Sequence, residues 1–255
     1  MISGCSLSRK MLYYPQPLSD NFREEVLTNC PHAEEITVPI DDKIQLQGWM
    51  IQKNLRDLPT LIVFGGNGEE ITHLVDDFEH HIDANVLLMN YRGYGGSTGS
   101  PKEKDLKSDA VAIYHYLLSH YDVHPKQVMT AGRSLGSGIA FHLAVKVQLA
   151  KVILVTPYDS IEKVACHYYP DFFVNLFLAD KFKTIDLCPE YQANTLILAT
   201  QQDEVIPFER TQNLYDHIQS PKQMLCVNSA THNSILKFDE AWQAMAQFVV
   251  SNDNP

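Results

Sequence analysis

The sequence predicts an α/β fold: a mostly parallel central sheet that starts with an antiparallel hairpin and carries helices on both faces. Apolar and polar residues alternate over 36–49, continuous apolar runs such as Thr60–Phe64 come later, and segments with helical spacing separate these runs. Alternation is typical of a strand with one exposed face, and a continuous run is typical of a strand covered on both. Repeated strand–helix units favour parallel pairing.

The predicted elements follow this scheme in order. Strands 36–40 and 44–49 flank the turn residues Asp41, Asp42 and Lys43 and form the hairpin. The later elements are strand 60–64, helix 71–81, strand 86–90, helix 103–118, strand 128–131, a helix from 135, strand 152–155, strand 195–200, helix 208–218, strand 223–227 and a helix from Ile235 to Val249. Apolar residues in that last helix recur at spacings of three and four.

Two segments lie outside the alternation. Residues 1–34 contain scattered prolines and no periodicity, so we expect an irregular strap across the body of the protein. Residues 158–188 are rich in aromatic residues and longer than a plain crossover requires. We expect this cap segment to form a small helical cap that roofs a shallow apolar pocket, the alternative being a long crossover of two helices. The core of the fold is then 35–157 and 189–255.

Composition and charge exclude several classes of function. The chain has 255 residues and a net charge of −11, which argues against nucleic acid or an anionic membrane as the main partner. Its apolar runs stay far below the ~20 residues that span a bilayer. The five cysteines are scattered, without a C-x-x-C pair, and the histidines lack metal-ligand spacing. We therefore predict no disulfide framework, no metal and no cofactor.

Residues 2–5, Ile-Ser-Gly-Cys, have the form of a bacterial lipoprotein cleavage box. A working box needs a charged segment and an apolar segment before the cysteine, and Met1 leaves no room for either. As the sequence stands we expect a cytoplasmic protein. The alternative is a lipid-anchored extracytoplasmic protein, if these residues are the remnant of a longer signal.

Residues 132–136 read Gly-Arg-Ser-Leu-Gly and lie between an apolar strand and an apolar helix. Strand, G-x-S-x-G, helix is the setting of a nucleophile elbow, a turn so sharp that its serine is strained and its flanks exclude side chains. The hydroxyl of Ser134 would stand at a helix N-terminus, where free N–H groups favour developing negative charge. The sequence therefore predicts a serine hydrolase with Ser134 as its nucleophile.

The same pattern occurs a second time at residues 95–99, which read Gly-Gly-Ser-Thr-Gly. Here the serine, Ser97, lies several residues beyond its strand, inside a Gly/Ser loop, and Pro101 precedes the next helix. A nucleophile elbow needs the serine directly between strand and helix. We therefore predict a structural role for Ser97.

A serine hydroxyl needs a base to take its proton, and the base needs an orienting carboxylate. Asp203 comes shortly after the strand 195–200, and His232 comes shortly after the strand 223–227. This chain order, serine then acid then histidine, is the one that nucleophile elbows use. Each residue falls at the carboxyl end of its own strand, so we predict that His232 and Asp203 serve Ser134.

Two other acids compete with Asp203 for the orienting role. Glu204 is adjacent, but we expect its side chain to point elsewhere on a tight turn. Asp159 follows the strand 152–155 and could occupy an alternative acid position. We favour a cap or helix-start role for Asp159.

An anionic intermediate needs two backbone N–H donors, the oxyanion hole. One should be Leu135, directly after the nucleophile. The other should come from the loop after the strand 60–64, which reads Gly-Gly-Asn-Gly over 65–68. Glycines let that backbone approach a substrate oxygen, and we name Asn67 as the second donor.

Taken together, five motifs resemble the α/β-hydrolase superfamily, in the small-cap branch that includes membrane-associated lipases, depalmitoylating thioesterases and peptidase-like hydrolases. They occur in the expected order within 36–250, at 65–68, 90–97, 132–136, 203–207 and 231–233. Relatives commonly have His-Gly where this chain has Gly65-Gly66. Because the hole uses backbone donors, catalysis does not depend on that histidine.

The resemblance implies a Ser134–His232–Asp203 triad that hydrolyses a small acyl ester or thioester through an acyl-enzyme, without metal or cofactor. It leaves room for peripheral association with a membrane and does not fix the oligomeric state. A serine peptidase of the same fold and a non-catalytic binding protein remain alternatives. A haloalkane-type or epoxide hydrolase is excluded, since it would need an acid at position 134.

Overall fold

Eight strands form a single sheet in the computed structural model, which describes residues 9–10 and 12–251. Their order in the sheet is β1-β2-β4-β3-β5-β6-β7-β8. The strands are β1 (Ala33–Pro39), β2 (Gln45–Ile51), β3 (Thr60–Phe64), β4 (Asn85–Met89), β5 (Val128–Arg133), β6 (Lys151–Val155), β7 (Asn194–Ala199) and β8 (Lys222–Cys226). The segment 2–5, with its lipoprotein-like sequence, lies outside the described residues.

Strand pairing follows the prediction of a hairpin joined to a parallel sheet. Strand β2 runs antiparallel to both β1 and β4, with Val38 opposite Leu46, and every pair from β4 through β3 to β8 is parallel. The hairpin turn is closed by Asp41, whose Oδ1 accepts the N–H groups of Lys43 (2.8 Å) and Ile44 (2.9 Å). The mostly parallel sheet with an antiparallel start is confirmed.

Helices cover both faces of the sheet. They are α1 (Asp20–Asn29), α2 (Val75–His81), α3 (Glu103–His120), α4 (Leu135–Val147), α5 (Ile161–Tyr168), α6 (Asp171–Phe177), α7 (Phe208–His217) and α8 (Asp239–Val250). Alternate strand residues serve the two faces: Ile62 and Phe64 join the core with α3, α4 and α7, whereas Leu61 and Val63 join the core with α1, α2 and α8. The continuous apolar strand follows from this double burial.

Two predicted elements differ from the structure. The last helix begins at Asp239 rather than Ile235, because Phe238 is extended and the Trp242 indole N–H donates to the carbonyl of Leu236 (2.7 Å), which holds 235–237 as a separate 3₁₀ turn. The strap, expected to be irregular, contains helix α1, with Ser19 as its N-cap. The helix was not predicted because its sequence is mostly polar, and Val26 is the residue it buries.

The cap segment contributes α5 and α6 between β6 and β7, followed by a 3₁₀ turn at Ile185–Glu190. Strap and cap segment meet at Asp180, which pairs with Arg9 and accepts the Tyr13 hydroxyl at 2.9 Å. None of the helices within 9–10 and 12–251 combines the length and apolar character that crossing a bilayer requires.

Candidate active site

Ser134 occupies the turn between β5 and α4. Its backbone has φ 51° and ψ −118°, a region that residues with a Cβ rarely adopt. The Ser134 N–H donates to the carbonyl of Val155 on the next strand (2.9 Å), which fixes the turn against the sheet. The serine is therefore held in the strained conformation that the elbow motif predicts.

The positions that flank Ser134 by two residues, Gly132 and Gly136, have no room for a Cβ atom. A Cβ on Gly132 would overlap the carbonyl of Gly136, and a Cβ on Gly136 would overlap the carbonyl of Phe64. Backbone atoms cannot move aside as a flexible side chain can, so any larger residue would displace the turn. These two close backbone approaches explain why the motif has glycine at both ends.

The structure brings the three sequence-predicted side chains into one hydrogen-bonded chain. His232 Nε2 lies 3.0 Å from Ser134 Oγ, and His232 Nδ1 lies 2.8 Å from Asp203 Oδ2. Side-chain exposure is 5% for His232 and 3% for Asp203, so water competes little for these bonds. Chemically, the imidazole can take the serine proton while the carboxylate holds its Nδ1–H.

The loop after β7, residues 200–207 (the acid loop), orients Asp203. Its Oδ1 accepts the N–H groups of Val205 (2.9 Å) and Ile206 (2.7 Å), which leaves Oδ2 for the histidine. Glu204, expected to point elsewhere, does not contact the imidazole but accepts the backbone N–H of His232 at 2.9 Å. It thus helps to hold the loop after β8 that carries His232, residues 227–234 (the histidine loop), a role that the sequence did not reveal.

Asp159, the alternative acid, and Ser97, the serine of the second G-x-S-x-G sequence, both have structural roles. Asp159 is buried and accepts from the Arg210 guanidinium (3.1 Å) and the Asn213 amide (2.7 Å), so its carboxylate serves the start of α7. Ser97 Oγ accepts the N–H of Gln47 at 2.9 Å and braces the loop after β4 against β2.

The two predicted N–H donors lie in different elements, the start of α4 and the loop after β3. Leu135 opens α4, where the first N–H groups have no partner within the helix. In the glycine loop (residues 65–68), the N–H of Gly66 is already donated to the Glu69 carboxylate, so it does not compete with the Asn67 N–H for this role. The side chain of Asn67 is tied to the strap: it accepts the Tyr14 N–H at 3.1 Å and donates to the Leu12 carbonyl.

A largely buried ion pair joins the glycine loop to the elbow and the histidine loop. Arg133, inside the elbow motif, donates to Glu69 (2.6 Å), to the carbonyl of His232 (3.2 Å) and to Asn233 Oδ1 (2.9 Å). Glu69 also accepts the Gly66 N–H and lies 3.3 Å from His73 Nε2. One guanidinium and one carboxylate thus position the loops on both sides of Ser134.

The protonation of this cluster has identifiable causes. Burial alone would raise the pKa of Glu69, but the hydrogen bond to His73, the charge of Arg133 and the Gly66 N–H lower that pKa to about 2. Burial alone would lower the pKa of His73, but its bonds and charge interactions with Glu69 and Glu70 raise that pKa above its ordinary value. The folded protein therefore favours a carboxylate beside a protonated imidazole.

Replacing His73 with glutamine should destabilise the protein more at pH 6 than at pH 8. The raised folded-state pKa of His73 gives a stabilisation that is complete below its ordinary pKa of 6.5 and is lost as the pH rises through the folded value. The Glu69 contribution disappears only as the pH falls below 4.5 towards 2, so it is constant over this window.

Urea unfolding of wild type and His73→Gln at both pH values tests this. In a Glu69→Gln background the pH-dependent part of the His73 effect should shrink, which identifies the partner. Equal destabilisation at both pH values would contradict the assignment.

Sequence reasoning missed Glu69, Arg133 and the loop-holding role of Glu204. Signals were present: Arg133 stands inside the elbow motif, and Glu69 directly follows the glycine loop. A charged residue at each of two adjoining motifs, among buried apolar strands, is typical of an ion pair that joins them.

The aromatic residues of the cap segment lie differently from the prediction. Tyr158 and Phe182 are buried in the core, whereas five others are at least half exposed: Tyr168, Tyr169, Phe172, Phe173 and Phe177. A cleft of about 550 Å³ lies instead on the Arg133 side of the elbow, between the strap and the glycine loop. Its lining mixes polar groups such as Asn67 and Asn233 with apolar Leu18 and Phe22.

Within the part of the chain described, neither the cysteines nor the potential metal ligands form a second candidate active site. Burial raises the pKa of the Cys30 and Cys188 thiols to about 12, and it also raises the pKa of Cys166 and Cys226. The reactive thiolate is therefore scarce at all four. No group of three His, Cys, Asp or Glu side chains in residues 9–10 and 12–251 is placed to hold a metal ion.

Comparison with known proteins places this chain among hydrolase-fold sequences. Residues 59–185 match the family described as the alpha/beta hydrolase fold. The chain is 29% identical over 231 residues to an uncharacterised protein of Mycobacterium tuberculosis, covering 89% of this chain and 81% of that protein. It is 31% identical over 193 residues to human alpha/beta hydrolase domain-containing protein 17B (74% and 66% covered) and 27% identical over 260 residues to protein bem46 of Schizosaccharomyces pombe (96% and 87%).

Solved structures share the fold at lower identity. An esterase of Pyrococcus furiosus, Pf2001, superposes with a TM-score of 0.73 at 17% identity, covering 94% of this chain and 96% of that one. An alpha-beta hydrolase of Vibrio vulnificus gives a TM-score of 0.76 at 16% identity, covering 97% and 91%. At such identities the likeness concerns the fold.

Proposed function

The chain belongs to the α/β-hydrolase superfamily, and we propose that within it this protein is a serine hydrolase that cleaves carboxylic esters or thioesters. One observation carries the proposal: the continuous hydrogen-bonded chain from Ser134 Oγ through His232 to Asp203, at 3.0 and 2.8 Å. A buried chain of this kind activates a hydroxyl that is otherwise a poor nucleophile.

In the proposed reaction Ser134 Oγ attacks the acyl carbonyl carbon while its proton passes to His232 Nε2. The imidazolium then gives this proton to the leaving oxygen or sulfur as the bond to the acyl carbon breaks. Water, deprotonated by the same imidazole, then attacks the acyl carbon. The bond from that carbon to Ser134 Oγ breaks, the imidazolium returns the proton to Oγ, and the acid leaves. Asp203 holds Nδ1–H throughout and stabilises the transient cation.

The N–H groups of Leu135 and Asn67 support the tetrahedral intermediate in this proposal. The helix α4 begins at Leu135, so the dipole of the helix adds to the donor. Each such donor is worth about 3 kcal/mol to the transition state. The Glu69–Arg133 pair contributes by keeping the glycine loop and the histidine loop at fixed positions around Ser134.

A serine peptidase of the same fold is the second candidate, because the same three side chains also cleave amides. The esterase is preferred because the cleft beside Arg133 is open and of mixed polarity, and its lining includes Asn67, the residue proposed as the second oxyanion donor. Peptide selection needs a set of oriented polar groups along an extended chain. A non-catalytic binding protein is the third candidate, and hydrolysis itself separates it from the other two.

A substrate series tests the proposal. We expect p-nitrophenyl acetate to octanoate, and the matching acyl thioesters, to be hydrolysed with higher kcat/KM than aminoacyl p-nitroanilides. Each methylene adds at most about 0.8 kcal/mol in an apolar contact, so preference should rise gently with chain length. Faster cleavage of the anilides would favour the peptidase, and failure with every substrate and with a fluorophosphonate probe would favour the binding protein.

A further inference from the structure

Six large apolar side chains form one exposed surface on the cap segment. We call this surface the aromatic cap face, and its members are Tyr168, Tyr169, Phe172, Phe173, Leu176 and Phe177. Their exposed fractions range from 50% to 71%, the largest at Phe172. Scattered exposed apolar residues are ordinary in proteins, but six within ten consecutive residues, three of them with rings in contact, indicate an interaction site.

Helix α6 contributes little to the core and mainly forms this surface. Of its seven residues only Val174 is buried, and the rings of Phe172, Phe173 and Phe177 instead contact one another, with centroids 5.7 and 6.3 Å apart. A helix that contributes one residue to the core gains little stability from burial. The apolar residues on its outer side are therefore available for contact with a partner outside the chain.

The charge around the surface selects the kind of partner. Residues 168–178 contain one charged residue, Asp171, and no lysine or arginine, while the whole chain carries −11. Anionic lipid would be repelled by this balance, and so would the phosphates of nucleic acid. A partner surface that is apolar inside and carries no net charge outside would not be repelled.

The size of the surface argues against a second copy of the chain. Half-exposed large apolar side chains present on the order of 100 Å² each, so the five rings and Leu176 together total roughly 600 Å². A stable protein interface needs about 800 Å² per partner, and two chains of the same negative charge would also repel each other. Tyrosine and phenylalanine on a short amphipathic element are instead suited to the headgroup boundary of a bilayer.

The face is connected to the candidate active site. The Tyr168 hydroxyl donates to the carbonyls of Glu204 (3.2 Å) and Val205 (3.0 Å) in the acid loop, directly after Asp203. Val205 is itself exposed next to the face. A surface that docks here would therefore lie beside the acid loop and Ser134.

We propose that the aromatic cap face docks this protein on neutral, zwitterionic phospholipid surfaces. Docking inserts the phenylalanine rings at the level of the lipid carbonyls and needs no covalent anchor and no hydrolysis. The inference is independent of the proposed function, since the rings bind whether or not Ser134 reacts.

Co-sedimentation with phosphatidylcholine vesicles tests the proposal. The wild-type chain should bind, and the variant Phe172→Ser/Phe173→Ser/Phe177→Ser should partition at least 100-fold more weakly, because about 100 Å² of apolar contact is lost at each ring. Leu27→Ser/Val250→Ser, which removes equally exposed apolar residues elsewhere, should bind like wild type. Ser134→Ala should also bind like wild type, so a failed esterase assay leaves this measurement intact.

Two further measurements distinguish zwitterionic lipid from other partners, and a third checks that the triple variant is folded. Adding 20% phosphatidylserine should not strengthen binding, and raising the salt concentration should not release the protein. The circular dichroism spectrum of the triple variant should match wild type, which shows that the variant is folded, and its hydrolysis of soluble p-nitrophenyl butyrate should match as well. No binding by wild type, equal binding by the triple variant, or a dimer in light scattering that the triple variant abolishes would each overturn the proposal.

Discussion

Replacing Ser134 with alanine should lower ester hydrolysis by at least about 10⁴-fold and abolish labelling by a fluorophosphonate probe. The reason is local: Oγ is the atom 3.0 Å from His232 Nε2, and alanine leaves the imidazole without a nucleophile to deprotonate. Steady-state kinetics, with circular dichroism to show that the variant is folded, provide the measurement.

Ser97→Ala is the matched control for this variant, because Ser97 belongs to the second G-x-S-x-G sequence. Its hydroxyl accepts the Gln47 N–H, so its loss should lower stability while most of the activity remains. An inactive Ser97→Ala together with a Ser134→Ala that still reacts with the probe would show that the nucleophile has been assigned to the wrong serine.

Asp203→Asn should lower turnover on the order of 10⁴-fold with little change in KM. The asparagine amide would donate towards His232 Nδ1 and stabilise the tautomer whose Nε2 carries the proton, which cannot accept one from Ser134. Because Oδ1 accepts two loop N–H groups, the amide oxygen can preserve those bonds, and the fold should survive. Kinetics over a range of substrate concentration separate turnover from KM.

Asp159→Asn is the control for the acid. That buried carboxylate pairs with Arg210, whose remaining carboxylate contact would be the exposed Glu209 at 3.2 Å. The change should therefore destabilise the protein, while turnover per folded molecule changes little. The reverse ranking, with Asp159→Asn inactive and Asp203→Asn active, would place the acid after β6 instead of β7.

Much of the fold could be predicted because single strands and helices carry their own patterns. The double burial of β3 is visible as the unbroken apolar run Thr60–Phe64, and the hairpin is visible as alternation around Asp41. The positions of Ser134, Asp203 and His232 followed from one topological rule: in a parallel sheet, carboxyl ends of strands share an edge. Local sequence therefore sufficed to nominate these residues.

The features that were missed depend on contacts between distant parts of the chain. The Glu69–Arg133 pair spans 64 residues, and nothing near either residue specifies the other. The aromatic residues of the cap segment were assumed to face inward because apolar side chains usually do, yet Phe172 lies in solvent. Composition shows that a surface is apolar but not which way it faces.

The conformation of Ser134 has a thermodynamic consequence for the whole molecule. A non-glycine residue at φ 51° is held at a conformational cost of about 1–3 kcal/mol. That cost is a sizeable fraction of the 5–15 kcal/mol by which a domain of this kind is stable. The sheet and the close packing at Gly132 and Gly136 must offset it, so selection for maximal stability and selection for an exposed hydroxyl act on this turn in opposite directions.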